Sequence, residues 1–136
     1  MKNSEQLNAL YQKYGLSRDH VFTNPSQGWS IITRAGIDTI QAKANIEISY
    51  DLLSSDLSNI IIKANATMGD NKIETFGEAS GKNTRNGYPV AIAEKRAMSR
   101  AVLKLSGFYA LGIMSEEEAD DFKDYANQQR MQTGTL

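Results

Sequence analysis

The chain has 136 residues, 40% of them hydrophobic and 23% charged, which suits one folded, water-soluble domain and is too short for two ordinary ones. It has no cysteine and a single histidine, His20, so disulfides, thiolate nucleophiles, cysteine-bound metals and histidine clusters are excluded. The formal net charge of −1 conceals an asymmetry: residues 1–114 carry 13 Lys+Arg against 10 Asp+Glu, and residues 115–136 carry 2 against 6.

No run approaches the roughly 18 apolar residues of a membrane span, and the opening MKNSEQLNAL lacks a signal-peptide core, so a cytoplasmic protein is expected. Ser4 offers a cap for a first helix to about Tyr14, with Leu7, Leu10 and Tyr11 at helical spacing and Gly15 to stop it. Ser17 to Ser30 reads as a loop with at most a short strand, anchored by Phe22 and Trp29. Thr33 offers an N-cap for a second helix over Arg34 to Lys43, where Ile37, Ile40 and Ala44 recur at three and four residues.

Three alternating segments follow. Ile46, Ile48 and Tyr50 alternate with Glu47, Ser49 and Asp51; Ile60, Ile62, Ala64, Ala66 and Met68 alternate with Lys63, Asn65 and Thr67; Ile73, Thr75 and Gly77 alternate with Glu74, Phe76 and Glu78. With Ser54 to Ser58 as one link and Gly69-Asp70-Asn71 as a tight turn, they predict a three-stranded antiparallel meander with one buried face. A long helix from Pro89 to about Ser106, stopped by Gly107, is expected to cover that face with Ala91, Ala97, Met98, Ala101, Val102 and Leu105. Its other side would carry Lys95, Arg96, Arg100 and Lys104. Ser115 with Glu118 forms a capping-box pattern for a last helix to about Gln128, and 129–136 read as a flexible end. The expectation is a single α+β domain over 1–128: a three-stranded meander under a long basic helix, with flanking N- and C-terminal helices.

The stretch GEASGKNT, residues 77–84, resembles a phosphate-binding loop but fails on chemistry. Such a loop needs four residues between its glycines and a Ser or Thr directly after the lysine, so that successive N–H groups curl round the phosphates and the hydroxyl reaches magnesium. Only three residues separate Gly77 from Gly81, and Asn83 follows Lys82. A glycine-rich hinge is the remaining reading, and no cofactor is expected. Nor does any nucleophile and base pair point to an enzyme.

The basic stripe asks for a partner. Charges on a solvated helix are usually balanced three or four residues away. Arg96 instead has Ile92, Ala93, Ser99 and Arg100 there, and Arg100 has Arg96, Ala97, Leu103 and Lys104. Either acidic groups of the protein compensate, with Glu47, Asp51, Glu74 or the acidic tail as candidates, or a polyanion does. On the second reading Lys82, Arg85, Lys95, Arg96, Arg100 and Lys104 line a groove that tracks a phosphate backbone, with Tyr88 able to stack on a base.

The run from Tyr88 to Leu105, YPVAIAEKRAMSRAVLKL, followed by Gly107, the aromatic pair Phe108-Tyr109, Gly112 and the acidic run Glu116 to Asp121, resembles the core of phage single-strand annealing proteins of the Erf and Sak kind, whose relatives include eukaryotic recombination annealing proteins. The resemblance spans roughly Ile46 to Asp124. It implies a β-β-β-α core, a homo-oligomeric ring or filament, and ATP-independent binding and annealing of single-stranded DNA in recombination. It places backbone contacts first on Arg96 and Arg100, then on Lys95, Lys104, Lys82 and Arg85. Two other readings share the element order or the charges: a double-stranded RNA-binding module, and an assembly or adaptor protein whose basic helix docks an acidic tail.

Overall fold

The computed structural model describes residues 2–24, 29–56, 59–80 and 89–118. The chain opens with α1 (Lys2–Lys13), which ends at Gly15 with φ +68°. A short 3-10 turn, Arg18–His20, leads to β1 (Val21–Thr23) and β2 (Ser30–Ile32), so the region expected to hold at most one strand folds as an antiparallel pair. Thr33 caps α2 (Arg34–Ala44) by accepting the Gly36 N–H at 3.2 Å, and Asn45 closes that helix in the left-handed region at φ 55°.

The meander follows as β3 (Glu47–Asp56), β4 (Asn59–Met68) and β5 (Asn71–Ala79), antiparallel in the order β3-β4-β5. β3 is longer than its alternation suggested: pairing runs on to Asp56 opposite Asn59, past a register shift between Leu52 and Ser54, where a link was expected. Gly69 takes φ +60° in the turn between Met68 and Asn71, the glycine-first pattern of a type II′ hairpin, whose twist matches the strands. α3 (Pro89–Ser106) has the bounds that Pro89 and Gly107 imply. Beyond a 3-10 turn at Tyr109–Leu111, β6 (Met114–Ser115) pairs in parallel with β2, giving a second small sheet in the order β1-β2-β6. The protein is therefore of mixed α+β class, with a three-stranded antiparallel sheet packed against α3 and flanking helical elements.

The close fit of α3 to the sheet has a specific cause. Gly77 in β5 is buried beneath the helix, and a Cβ there would stand 1.9 Å from the Ala93 carbonyl oxygen and 2.6 Å from the Ala97 nitrogen. Thr75, on the same face, donates its hydroxyl to the Ala97 carbonyl at 2.6 Å. Around this contact Ile60, Ile62, Ala64, Ala79, Ala93 and Ala97 form one cluster; the small side chains let two backbones meet. A second, larger cluster joins Tyr14, Ile32, Ile37, Ile40 and Ile46 to Met98, Val102, Leu103 and Phe108. Tyr11 stacks on Phe108 with centroids 5.7 Å apart, which docks α1. Among the described residues no helix is long and apolar enough to cross a membrane.

Two sequence expectations are corrected here. The first three residues of GEASGKNT are strand, not hinge, because Gly77 serves the helix-to-sheet approach and Glu78 carries edge chemistry described below. Ser115 lies in β6, and its Oγ has no hydrogen-bond partner among the described residues, so the capping side chain is not engaged although residues 116–118 are helical. The last helix beyond 118 and the end at 129–136 lie outside the described residues.

Candidate functional site at the basic helix

α3 is wedged between the sheet and the α2 and β6 region, so more than one face is covered. Arg96 is only 3% exposed and lies with Ala93, Ala97, Met98, Ser99, Ala101, Val102 and Leu103 in the buried surface, whereas Ala91 is exposed. This corrects the expected split between an apolar side containing Ala91 and a basic side containing Arg96. The long methylene stem of arginine packs on apolar surface while its head reaches a polar group. Here that group is the Glu78 carbonyl oxygen, to which Arg96 Nη1 donates at 2.7 Å.

Arg100 goes further. Its Nη1 donates to the Phe76 carbonyl at 2.6 Å, and its two terminal nitrogens clasp the Glu78 carboxylate at 3.1 and 3.0 Å. Its Nε donates to Glu118. Burial alone lowers an arginine pKa, but the hydrogen bonds that Arg100 donates to Glu78 and Glu118, and the negative charge of those carboxylates, reverse that effect and raise it. The same fork holds the Glu78 carboxyl below its ordinary value, chiefly through the Arg100 hydrogen bond and against partial desolvation.

Phe76 and Glu78 share a parity along β5. The hairpin closes on the pair Met68 and Asn71, so the alternate residues Ile73, Thr75, Gly77 and Ala79 exchange backbone bonds with β4, and the carbonyls of Phe76 and Glu78 point off the free edge. Arg96 and Arg100, four apart on α3, therefore reach round the sheet and cap two edge carbonyls, residues 76 and 78. Their mutual repulsion is offset by Glu78 and Glu118.

The acidic run is equally engaged. A Glu116 carboxylate oxygen accepts the backbone N–H of Arg34, at the positive end of the α2 dipole. The Arg34 guanidinium lies 3.8 Å from Glu117 and 3.4 Å from Asp38. Of the acidic groups first considered as partners of the stripe, Asp51 and Glu74 pair instead with Lys63, at 3.9 and 3.1 Å. Glu78, which alternation marked only as a solvent-facing strand residue, is the partner that sequence reasoning missed.

Of the expected nucleic-acid contacts, Lys95 and Lys104 are exposed on α3, and the Lys104 ammonium stands 5.0 Å from the Tyr109 ring centroid. Arg96 and Arg100 are committed to the fold, and Lys82, Arg85 and Tyr88 lie outside the described residues. An open depression of about 360 Å³ is lined by Asp38, Gln41, Ala42, Asn45, Ile46 and Glu47 and touches none of the basic helix residues. Among the described residues no three His, Asp or Glu side chains gather as a metal site. Compared with family models, curated proteins and solved structures, the chain finds no match.

Proposed function

We propose that the protein binds single-stranded nucleic acid, DNA in the first instance, and anneals complementary strands without ATP or another cofactor, as a non-enzymatic homo-oligomer. The observation that supports this reading is a β-β-β-α unit whose helix presents Lys95 and Lys104 to solvent beyond its internally paired arginines. The roles within the stripe divide on this reading. Lys95 and Lys104, with Lys82, Arg85 and Tyr88 on the segment leading into α3, contact the strand. Arg96 and Arg100 hold the surface in shape. Phosphate contacts of this kind release counterions, so affinity falls steeply with salt whatever the base sequence.

The test is a salt-titrated binding measurement with single- and double-stranded DNA and RNA, alongside a strand-annealing assay. Lys95→Ala with Lys104→Ala is expected to weaken binding for all sequences and lower the salt slope by about two, roughly one per lysine. Absence of salt-dependent binding to any of the four nucleic acids overturns the reading, and preference for duplex RNA replaces it with the double-stranded RNA module.

One observation favours a second reading. Glu116, Glu117 and Glu118 already occupy Arg34 and Arg100, which is how an assembly or adaptor protein would hold an acidic segment on its basic helix. Glu117→Gln with Glu118→Gln separates the two: gained nucleic-acid affinity favours a polyanion surface, and altered oligomer size without such affinity favours the adaptor. Neutralisation is preferable to deletion from 115, because Ser115 belongs to β6.

A further inference from the structure

The two free edges of the three-stranded sheet are treated differently. The β5 edge is occupied at Phe76 and Glu78 by the guanidinium groups of Arg100 and Arg96. Among the described residues no comparable guanidinium contact reaches Ile48, Tyr50 or Leu52 of β3 (Glu47–Asp56). Soluble proteins blunt exposed edges with proline, lysine or a very short strand. β3, EISYDLLSSD, has neither residue, and only the register shift near Leu52 interrupts it.

The parity that fixes the β5 edge also fixes this one. In β4 the even residues from 60 to 68 bond β5, so the odd residues bond β3, through Glu47, Ser49 and Asp51. The backbone groups of Ile48, Tyr50 and Leu52 therefore face the open side. Their side chains share the inner face with Ala66, Ala64 and Ile62, yet α3 packs on β4 and β5, and exposure reaches 38% at Tyr50 and 56% at Leu52, with the neighbouring Leu53 at 54%. An unpaired ladder and exposed apolar side chains thus coincide on one strand.

We propose that two copies of this chain join through β3, antiparallel about a two-fold axis at Tyr50, merging their sheets into one of six strands. The strand is complementary to itself in that register. Ile48 of each protomer meets Leu52 of the partner subunit, and the two Tyr50 rings meet at the axis, the aromatic and aliphatic cross-strand pairs that stabilise sheets. On the outer face Asp51 meets Ser49 of the partner subunit, and Glu47 falls opposite the register shift between Leu52 and Ser54 of the partner subunit, so no two acidic residues of this acidic strand face each other. A copy added head to tail would instead need the β5 edge, where the arginines stand. With β3 as the open edge of this sheet among the described residues, a contact through it closes at two copies, since an isologous contact uses itself up. The proposal does not depend on nucleic-acid binding, and it supplies the unit from which any larger assembly would be built.

The test is the mass in solution, by sedimentation or light scattering at micromolar concentration, of the full chain and three variants. The wild type is expected at twice the chain mass. Tyr50→Pro, which removes an N–H from the open edge without touching the β4 ladder, is expected to shift it to monomer. Because the chain has no cysteine, Tyr50→Cys gives one reporter thiol at the axis and is expected to form a covalent dimer on mild oxidation. Phe76→Cys, on the capped edge, is expected not to cross-link either alone or when mixed with Tyr50→Cys. A wild type at monomer mass, a dimer indifferent to Tyr50→Pro without the Tyr50→Cys cross-link, or species larger than two joined by the mixed cross-link each overturn the proposal. Far-UV circular dichroism of each variant separates lost pairing from lost fold.

Discussion

The two edges of the sheet share one geometry and differ in what covers them. At β5, helix and edge belong to one packing unit: Gly77 admits α3, Thr75 bonds its backbone, and Arg96 and Arg100 reach round to the carbonyls of Phe76 and Glu78. At β3 the same sheet runs out from under the helix, and Leu52 and Leu53 are more than half exposed and Tyr50 partly so. The basic residues on α3 are therefore of two kinds. Those turned toward the β5 edge perform the work of a missing strand, and those turned away, Lys95 and Lys104, are exposed.

The largest expected effect comes from removing the cause of the β5 contact. Gly77→Val forces α3 away from β5 and withdraws both arginines with it; overpacking of this kind costs about 3 kcal/mol or more, read as a lower denaturant midpoint. Next, Arg96→Ala with Arg100→Ala removes the donors to the part-buried Glu78 carbonyl and to the Phe76 carbonyl and is expected to destabilise by about 2–3 kcal/mol. If that pair instead left stability unchanged and removed only nucleic-acid affinity, the distinction between the two kinds of basic residue would fail.

A smaller effect follows from pH. Glu78 has a folded pKa below its ordinary 4.5, so it contributes stability that is fully present above that value and is lost as pH falls through the folded one. Stability measured from pH 6 to pH 3 should decline at the acid end, and Glu78→Gln should flatten part of that decline. The smallest expected change is in Lys95→Ala with Lys104→Ala, within about 0.5 kcal/mol of wild-type stability as for other exposed positions. A large loss there would place the lysines with the arginines.

Much of the fold was legible because it is written locally. Period-two alternation marked the inner face of β4 residue by residue, Thr33 marked the start of α2, and Pro89 and Gly107 bounded α3. These signals act within a few residues and need no knowledge of neighbours. The site was less legible. Arg96 read as solvent-facing because its side-chain type and helix position carry no sign of a carbonyl 18 residues earlier in sequence. The β6 strand is two residues long, too short for any periodicity, and exists because β2 lies beside it.

The amino-acid sequence by itself determined the α+β class, the meander, the long helix and the presence of a basic stripe that needs negative partners. Only the tertiary structure decided who those partners are. Docking α3 at Gly77 brings two guanidinium groups to the β5 edge and the acidic run to Arg34 and Arg100, and among the described residues it leaves Leu52 and Leu53 of β3 exposed. The physical reason is range: propensity and alternation operate along the chain, whereas the satisfaction of an edge carbonyl or a buried charge is settled by whichever groups the packing brings within about 3 Å.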